Sequence, residues 1–283
     1  MERIHALNAV MSDYDDQSEL RRLCDTAGGG KAVAVSDDLW KVLLHAQNTS
    51  EQSEGAFDVT VGPVVRLWRR ARRQKELPSP EKLEAARALV GYRLVRLDPT
   101  QRTVELLKPG MRLDLGGIAK GYATQAALAV LRREGVPRAL VEAGGDTCLG
   151  DAPPDKAGWR IGLTPLDQPE GRPTACLSLT NVSVSTSGDD IQYVEIGGRR
   201  YSHIIDPRTG TPLTDHCRVT VVAPDGMTAE GLSKALGVLG PEKGMKLVER
   251  IPGAAALVLR APRGAVERHE SKRWKELRIT CPP

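Results

Sequence analysis

Two glycines and a lysine at the start of a predicted helix are the residues best suited to binding an anion. They lie in the stretch 114–123, which reads DLGGIAKGYA. Gly116 and Gly117 let the backbone approach a ligand closely, and the first N–H groups of a helix lack partners and carry partial positive charge. Lys120 adds a full charge beside them. An ordinary glycine turn between a strand and a helix has the same residues, so both interpretations stay open.

The apolar pattern around this stretch predicts a strand, a tight turn and a helix. Val104, Leu106, Met111 and Leu113 alternate before it, and apolar residues at helical spacing continue to a stop at 135–137. Other predicted helices cover residues 7–23 and 36–48, the second with Ser36 as N-cap. Residues 158–163 and 175–186 alternate and are rich in β-branched side chains, which predicts strands.

Two further stretches place polar side chains at the ends of predicted strands. A strand over 139–141 leads into a second glycine turn, EAGGD, and Gly197-Gly198 predicts the turn of a hairpin. His203 follows that hairpin within YSHIIDPRTGTP, where a structural histidine and an anion contact are both open interpretations. After the strand RVTVVAP, a helix places Glu230 and Lys234 four residues apart, on a different face from its leucines.

Composition excludes several classes of protein. The chain has 283 residues, 40% of them hydrophobic, which suffices for a packed core, and its net charge of +4 gives little support for nucleic-acid binding. The basic run 66–75 is interpreted as a solvated helix face. Five scattered cysteines predict neither a disulfide framework nor a zinc site. No apolar run has the length of a transmembrane helix, and the first residues lack a signal-peptide core.

Five motifs, in this order, resemble the ApbE family of FAD-dependent flavin transferases: SEGAFDVTVGP, LDLGGIAKGYA, EAGGD, YSHIIDPRTGTP and the helix after VTVVAP. The resemblance covers about residues 8–240 and implies one domain over residues 1–283. It implies an α+β, T-fold-like structure with mixed or antiparallel sheets, flanking helices and an FAD cleft between lobes. The implied reaction moves FMN from FAD to a threonine or serine hydroxyl of an acceptor protein and releases AMP.

The resemblance also implies roles for individual residues. The flavin nucleotide would contact Tyr14, Ala56, Phe57, Asp58, Asp114, Lys120, Ile204 and Ser233. A magnesium ion would take the carbonyl of Gly117 and the side chain of Glu230 as ligands, and His203 would lie near the phosphates as a candidate base. From composition alone, core packing is the favoured interpretation of Phe57, the only phenylalanine.

This chain departs from the family at the predicted metal site. The family pattern has Asp and Thr side chains as ligands, and Glu230 and Lys234 occupy their places. Mg²⁺ requires near-octahedral oxygen ligands, and an ammonium cannot be a ligand. Three interpretations stay open: Lys234 replaces the metal as a catalytic charge, the protein keeps FAD without transfer, or the two residues form a surface pair in an inactive site.

The start of the chain also departs from the family. Relatives have an exported N-terminus and a first strand that contacts FAD, and neither precedes residue 8. As written, the chain is expected in the cytoplasm, and an earlier start would place it in the periplasm or on a membrane anchor. Covalent flavinylation of a partner protein is the leading function. A non-catalytic FAD-binding homologue and an FAD pyrophosphatase that releases FMN and AMP are the alternatives.

Overall fold

The structure, a computed structural model, describes residues 1–168, 171–189, 192–262 and 264–280. Its α-helices in these ranges are α1 (Glu2–Met11), α2 (Glu19–Asp25), α3 (Asp37–Gln52), α4 (Gly62–Gln74), α5 (Pro80–Arg87), α6 (Ala119–Arg133) and α7 (Gly226–Glu249). None of these helices is long and apolar enough to cross a membrane.

The strands of the described residues are short, and their pairings are antiparallel. They are β1 (Val33–Ala34), β2 (Val95–Asp98), β3 (Thr103–Leu106), β4 (Leu140–Ala143), β5 (Asp146–Leu149), β6 (Trp159–Leu163), β7 (Ala175–Leu179), β8 (Ser183–Gly188), β9 (Tyr193–Ile196), β10 (Arg199–Ser202), β11 (Ile205–Asp206), β12 (Thr211–Pro212), β13 (Cys217–Ala223), β14 (Ala255–Arg260), β15 (Glu267–Glu270) and β16 (Ile279–Thr280).

The chain divides into two compact units. The first unit contains Met1–Ala119 and Val194–Leu213, and the second contains Lys120–Tyr193 and Thr214–Pro283. The expectation of a single domain over residues 1–283 stays a prediction.

The first unit combines α1 to α5 with a small sheet in the order β1-β3-β2 and two hairpins, β9–β10 and β11–β12. Trp68 on α4 anchors part of its core, stacking on Tyr201 with ring centroids 5.2 Å apart. The indole N–H of Trp68 donates to the carbonyl oxygen of Gly210 at 2.8 Å. Burying the ring while satisfying its N–H fixes α4 against the end of the second hairpin.

The second unit is built on a six-stranded sheet in the order β15-β14-β13-β8-β5-β4, against which α7 packs. Every residue of β13 is buried, which explains the continuous β-branched run in its sequence. A second sheet, β16-β7-β6, contributes to a core with the six-stranded sheet. That core consists of Leu149, Leu177, Leu179, Val184, Val222, Ala255, Leu257 and Trp274.

Helices α6 and α7 of the second unit meet at two glycines. A Cβ built on Gly121 would lie 2.1 Å from the carbonyl oxygen of Gly226, and a Cβ on Gly226 would lie 2.1 Å from that of Gly121. Such distances exclude any side chain at either position. These glycines therefore let the two helix starts approach each other, which places the first turn of α6 beside the side chains of α7.

Several predicted elements are confirmed. Helix α3 has Ser36 as its N-cap, whose hydroxyl accepts from the N–H of Leu39 at 3.3 Å. The hairpin β9–β10 turns at Gly197 and Gly198, whose φ angles of 58° and 73° explain the need for glycine. The basic run lies on α4, and Arg66, Arg70 and Arg73 are exposed as expected.

Three predicted elements were wrong in extent. The helix over 7–23 is interrupted, because the Ser12 hydroxyl accepts from two backbone N–H groups and Ser18 begins α2 as an N-cap. The strand over 175–186 is two strands, divided where Asn181 has a φ of 53°. The strand before DLGGIAKGYA ends at Leu106, and the buried residues Met111, Leu113 and Leu115 follow in irregular backbone.

Four cysteines are buried free thiols, namely Cys24, Cys148, Cys176 and Cys217, in agreement with the expectation of no disulfide framework. Cys281 lies outside the described residues.

Candidate functional site

Glu230 on α7 binds the start of α6. Its Oε2 accepts a hydrogen bond from the N–H of Gly121 at 2.8 Å, and its Oε1 accepts one from the Lys120 ammonium at 2.5 Å. The carboxylate is completely buried, with 0% of its side chain exposed. A negative charge at this position satisfies an unpaired N–H and interacts favourably with the helix dipole. Glu230 is thus a buried cap on α6, which excludes the interpretation as a surface pair.

Lys120 bridges two carboxylates. Its ammonium also forms an ion pair with Asp146, the first residue of β5. The other oxygen of Asp146 accepts from the hydroxyl of Ser185 on β8 at 2.5 Å. Burial acts to lower the pKa of Lys120, but the charges of Glu230 and Asp146 outweigh it and raise that pKa. Lys120 therefore stays an ammonium and is held by both carboxylates.

Lys234 lies one helical turn after Glu230 but has different partners. Its ammonium donates to the hydroxyl of Ser187 on β8, and the hydroxyl of Ser233 lies 3.4 Å away. Ser233 is itself buried and donates to the carbonyl oxygen of Glu230 at 2.7 Å. Burial lowers the pKa of Lys234, an effect that the charge of Glu230 opposes, while burial raises the pKa of Glu230. We name Lys120, Asp146, Glu230 and Lys234 the charge cluster.

The charge cluster does not fit a divalent metal ion. Both carboxylate oxygens of Glu230 already accept hydrogen bonds, and the ammonium of Lys234 offers no lone pair. Two ammonium groups balance two carboxylates, so an added divalent charge would stay uncompensated. Within the described ranges, no group of three or more His, Cys, Asp or Glu side chains could hold a metal ion. The metal-ligand role of Glu230 stays a sequence prediction that this arrangement does not support. The role of the Gly117 carbonyl as a ligand stays a sequence prediction.

Asp58 of the first unit is a second buried carboxylate. Its Oδ1 accepts from the N–H and the hydroxyl of Thr60 at 2.8 and 2.6 Å, and its Oδ2 accepts from the N–H of Tyr92 at 2.7 Å. Burial raises its pKa, and the hydrogen bonds from Thr60 and Tyr92 oppose that effect. The neighbouring Ala56 and Phe57 side chains are buried. The interpretation of Phe57 as a core residue agrees with that burial.

Arg69 joins three residues of the first unit. Its guanidinium pairs with Asp114 at 2.9 Å and with Asp13, and it lies over the ring of Tyr14, 4.6 Å from the ring centroid. Burial raises the pKa of Asp114, the Asp13 charge adds to that effect, and Arg69 opposes it. The Tyr14 side chain remains largely exposed. The structure thus brings Tyr14 and Asp114 together through an arginine.

The stretches around Asp58 and Asp114 are neighbours as well. The N–H of Asp114 donates to the carbonyl oxygen of Val59 at 2.7 Å. Next to Asp58, a cavity of about 710 Å³ is lined by both acidic and basic side chains. They are Glu54, Asp58, Glu84, Arg87 and Arg208. The first unit therefore offers a polar cavity large enough for part of a nucleotide.

His203 and Ile204 lie between β10 and β11 in the first unit. Ile204 is buried, its N–H donates to the hydroxyl of Ser202 at 3.1 Å, and its carbonyl oxygen accepts from the N–H of Leu213 at 2.9 Å. His203 is partly exposed beside it. The backbone that carries the imidazole is therefore fixed by the hydrogen bonds of the neighbouring Ile204.

With this geometry in place, comparison with known proteins identifies the family. The family model described as "ApbE family" matches residues 1–258. The chain belongs to the ApbE family. The predicted family is confirmed.

Curated ApbE relatives match most of the chain. The FAD:protein FMN transferase of Haemophilus influenzae is 35% identical over 271 residues, covering 94% of this chain and 78% of the relative. The FAD:protein FMN transferase of Treponema pallidum is 34% identical over 279 residues, covering 92% of this chain and 77% of the relative. These matches extend beyond the motifs to the intervening segments.

Solved ApbE structures share the fold. The flavin transferase ApbE from Vibrio cholerae superposes with a TM-score of 0.88 at 31% identity, covering 98% of this chain and 88% of that one. The ApbE protein of Thermotoga maritima gives a TM-score of 0.84 at 33% identity, covering 97% of this chain and 88% of that one. The predicted α+β fold and the prediction of a transferase are confirmed.

Sequence reasoning missed two residues that organise the site. Arg69 was included in a solvated basic run, although it contacts Asp13, Asp114 and Tyr14. Asp146 was noted only as part of a glycine turn, although it shares Lys120 with Glu230. A signal was available for Asp146, because the EAGGD motif places a carboxylate directly after two glycines at a strand start.

Proposed function

We propose that this protein is an FAD:protein FMN transferase, which moves FMN from FAD to a threonine or serine hydroxyl of an acceptor protein. The observation that carries the proposal is the match of nearly the whole chain to transferases of that name, in both sequence and fold. Those names favour transfer over the non-catalytic and pyrophosphatase alternatives.

The reaction exchanges one phosphorus–oxygen bond for another. The acceptor hydroxyl oxygen forms a bond to the phosphorus next to riboflavin, and the bond from that phosphorus to the bridging oxygen breaks. AMP leaves with the bridging oxygen, and the hydroxyl proton is released. Catalysis of phosphoryl transfer consists mainly of positioning the two reactants and stabilising the phosphate charge.

Residues of the first unit would bind and orient the nucleotide. Ala56, Phe57, Asp58, Asp114, Ile204 and Tyr14 are the proposed contacts. Buried Ala56 and Phe57 would act through their backbone groups, whereas Tyr14 has an exposed ring that can lie against an aromatic ligand. Asp58 and Asp114 hold adjoining backbone segments in place through the hydrogen bonds described above. This rigidity would orient the reacting phosphorus before the acceptor arrives.

His203 is the proposed base for the acceptor proton. An imidazole near neutral pH can accept a proton from an attacking hydroxyl, and such general-base assistance contributes about 10²- to 10⁴-fold in rate. In the second unit, Lys120, Ser233 and Lys234 are the proposed polar contacts to the phosphates. An ammonium stabilises the charge of a phosphate oxygen without a change in its own position.

The proposal is tested by intact-mass measurement of an acceptor. The purified protein is incubated with FAD and a protein that the Vibrio cholerae relative modifies, and that relative serves as the positive control. We expect the acceptor to gain one FMN group, with one AMP released for each. AMP release without a mass gain would indicate the pyrophosphatase, and FAD binding without either product would indicate the non-catalytic homologue.

A substitution of His203 tests its proposed role as the base. We expect His203→Ala to lower the transfer rate about 10²-fold or more while FAD binding changes little, because a base acts on the acceptor proton rather than on the bound nucleotide. His5→Ala, at an exposed position on α1, is the matched control. An equal rate for the two variants would remove His203 from the mechanism.

A further inference from the structure

The two lysines of the charge cluster differ in what they can still bind. Lys120 forms ion pairs with both Asp146 and Glu230, so its ammonium is held by two carboxylates. Within the described part of the chain, the hydrogen-bond acceptors of Lys234 are the hydroxyls of Ser187 and Ser233. Each ammonium keeps one of its three N–H groups, but the hydrogen-bond partners of Lys234 are uncharged, so its charge remains available to an anionic oxygen.

The Lys234 ammonium is fixed in position by its hydrogen bonds, although burial lowers its pKa. The side chain is partly buried, and its ammonium is anchored to β8 by Ser187. The cluster is neutral as a whole, because Lys120 and Lys234 balance Asp146 and Glu230. Removal of the charge at Lys234 would leave two carboxylates facing a single ammonium. A divalent cation could be bound there only in exchange for a lysine charge.

We infer that this protein works without a bound divalent metal ion, and that the ammonium of Lys234 is the cation that contacts a pyrophosphate oxygen of FAD. The inference rests on the proposed function for the identity of the ligand. It assigns Lys234 a role in binding a nucleotide, and it assigns Glu230 the role of a helix cap rather than that of a metal ligand.

The longer side chain of Glu230 fits this assignment. Its carboxylate reaches across the Gly121–Gly226 crossing and accepts a hydrogen bond from the N–H of Gly121. The other carboxylate oxygen accepts a hydrogen bond from the Lys120 ammonium. Each oxygen is thereby directed at a hydrogen donor. For a metal to bind Glu230, the cap on α6 and the ion pair with Lys120 would both have to break.

The first experiment compares the parent protein with one double variant. Binding of Mn²⁺, used as a paramagnetic probe for a divalent-cation site, is measured by electron paramagnetic resonance on the protein with FAD. We expect no stoichiometric binding to the parent protein. The double variant Glu230→Asp with Lys234→Thr shortens the cap and removes the competing charge, and we expect it to bind one Mn²⁺ per chain. One Mn²⁺ bound tightly to the parent would overturn the inference.

The second experiment measures FAD affinity by fluorescence titration, once with EDTA and once with magnesium chloride. We expect the two affinities of the parent to agree within about twofold. Lys234→Met keeps much of the side-chain length without its charge, and loss of a charge-assisted hydrogen bond should weaken FAD binding about 10- to 100-fold. Lys243→Met, at an exposed position beyond the kink of α7 at Gly240, is the matched control.

These measurements separate the inference from the proposed function, because neither needs an acceptor protein. FAD binding that EDTA leaves unchanged and Lys234→Met weakens supports the inference even if no acceptor is modified. FAD binding that EDTA weakens and magnesium restores overturns it even if transfer occurs. A thermal unfolding scan of each variant identifies loss of folding, and in that case the parent's Mn²⁺ titration decides alone.

Discussion

Asp58 and Glu230 are both buried carboxylates that the sequence assigns to a ligand, yet they are stabilised in different ways. Asp58 of the first unit accepts hydrogen bonds from the N–H and hydroxyl of Thr60 and from the N–H of Tyr92, which are neutral donors. Glu230 of the second unit accepts from one neutral N–H and from the Lys120 ammonium. A carboxylate held by neutral donors keeps its charge uncompensated, whereas one beside two lysines does not.

This difference separates two uses of a buried acid. Asp58 fixes backbone, since two of its three donors are main-chain N–H groups, and its loss should disturb the local chain path. Glu230 also caps a helix, but its charge is part of a balanced set of four. Loss of its charge should therefore affect the other three members, including the lysine that we assign to the nucleotide.

The largest expected effect comes from breaking the balanced set. Glu230→Gln leaves two buried or partly buried lysines with one carboxylate, and we expect the free energy of unfolding to fall by about 3 to 5 kcal/mol. Urea denaturation followed by circular dichroism measures the change. Glu242→Gln, exposed in α7 beyond its kink at Gly240, is the control and should change stability by less than about 0.5 kcal/mol. Similar values for the two variants would mean that the cluster charges are not coupled.

Asp58→Asn should have the next largest effect. The amide group presents N–H donors to a site that supplies donors, so at least one buried donor loses its acceptor, at a cost of about 2 to 3 kcal/mol. The same denaturation experiment measures it. A loss as large as that of Glu230→Gln would contradict the distinction between neutral and charged partners.

The hydroxyl neighbours of the carboxylates sharpen the comparison. Thr60→Val removes a donor to Asp58 and also the acceptor of the Gly91 N–H, so we expect a loss of about 1 to 2 kcal/mol. Ser185→Ala removes one donor to Asp146, which keeps its ion pair with Lys120, and should cost about 0.5 to 1 kcal/mol. The reverse order would show that the lysine does not compensate Asp146.

The smallest expected effect is a pH dependence. Burial raises the pKa of Asp58 above its unfolded value, so its contribution to stability is complete below that value, about 4, and is lost as pH rises through the folded pKa. Asp58→Asn lacks this titration. The difference in unfolding free energy between parent and variant should therefore narrow as pH rises above about 4. A difference that widens with pH would mean that the three hydrogen bonds outweigh burial.

The local parts of the fold could be predicted from the sequence. Ser36 begins α3 through its own hydroxyl, and Gly197 and Gly198 form a turn that requires positive φ at both positions. The break between α1 and α2 was missed, although Ser12 and Ser18 are residues that compete with helical hydrogen bonding. The helix predicted over residues 7–23 therefore ran through two serines, Ser12 and Ser18, that end one helix and begin the next.

The charge cluster could be predicted only in part. The replacement of the family's Asp and Thr by Glu230 and Lys234 was visible, but their partners were not. Lys120 is 26 residues from Asp146 and 110 from Glu230 in sequence, and no local pattern joins them. Nor does any spacing in the chain place Arg69 beside Asp114, 45 residues away. Such contacts depend on how the sheets and helices pack.

The most direct test of this account is the rate of FMN transfer to an acceptor protein, measured by intact mass with EDTA and again with magnesium chloride. We predict that the two rates agree within about twofold, because the ammonium of Lys234 supplies the charge at the pyrophosphate. A rate that falls about 100-fold or more in EDTA and returns with magnesium would contradict the account and restore Glu230 to the role of a metal ligand.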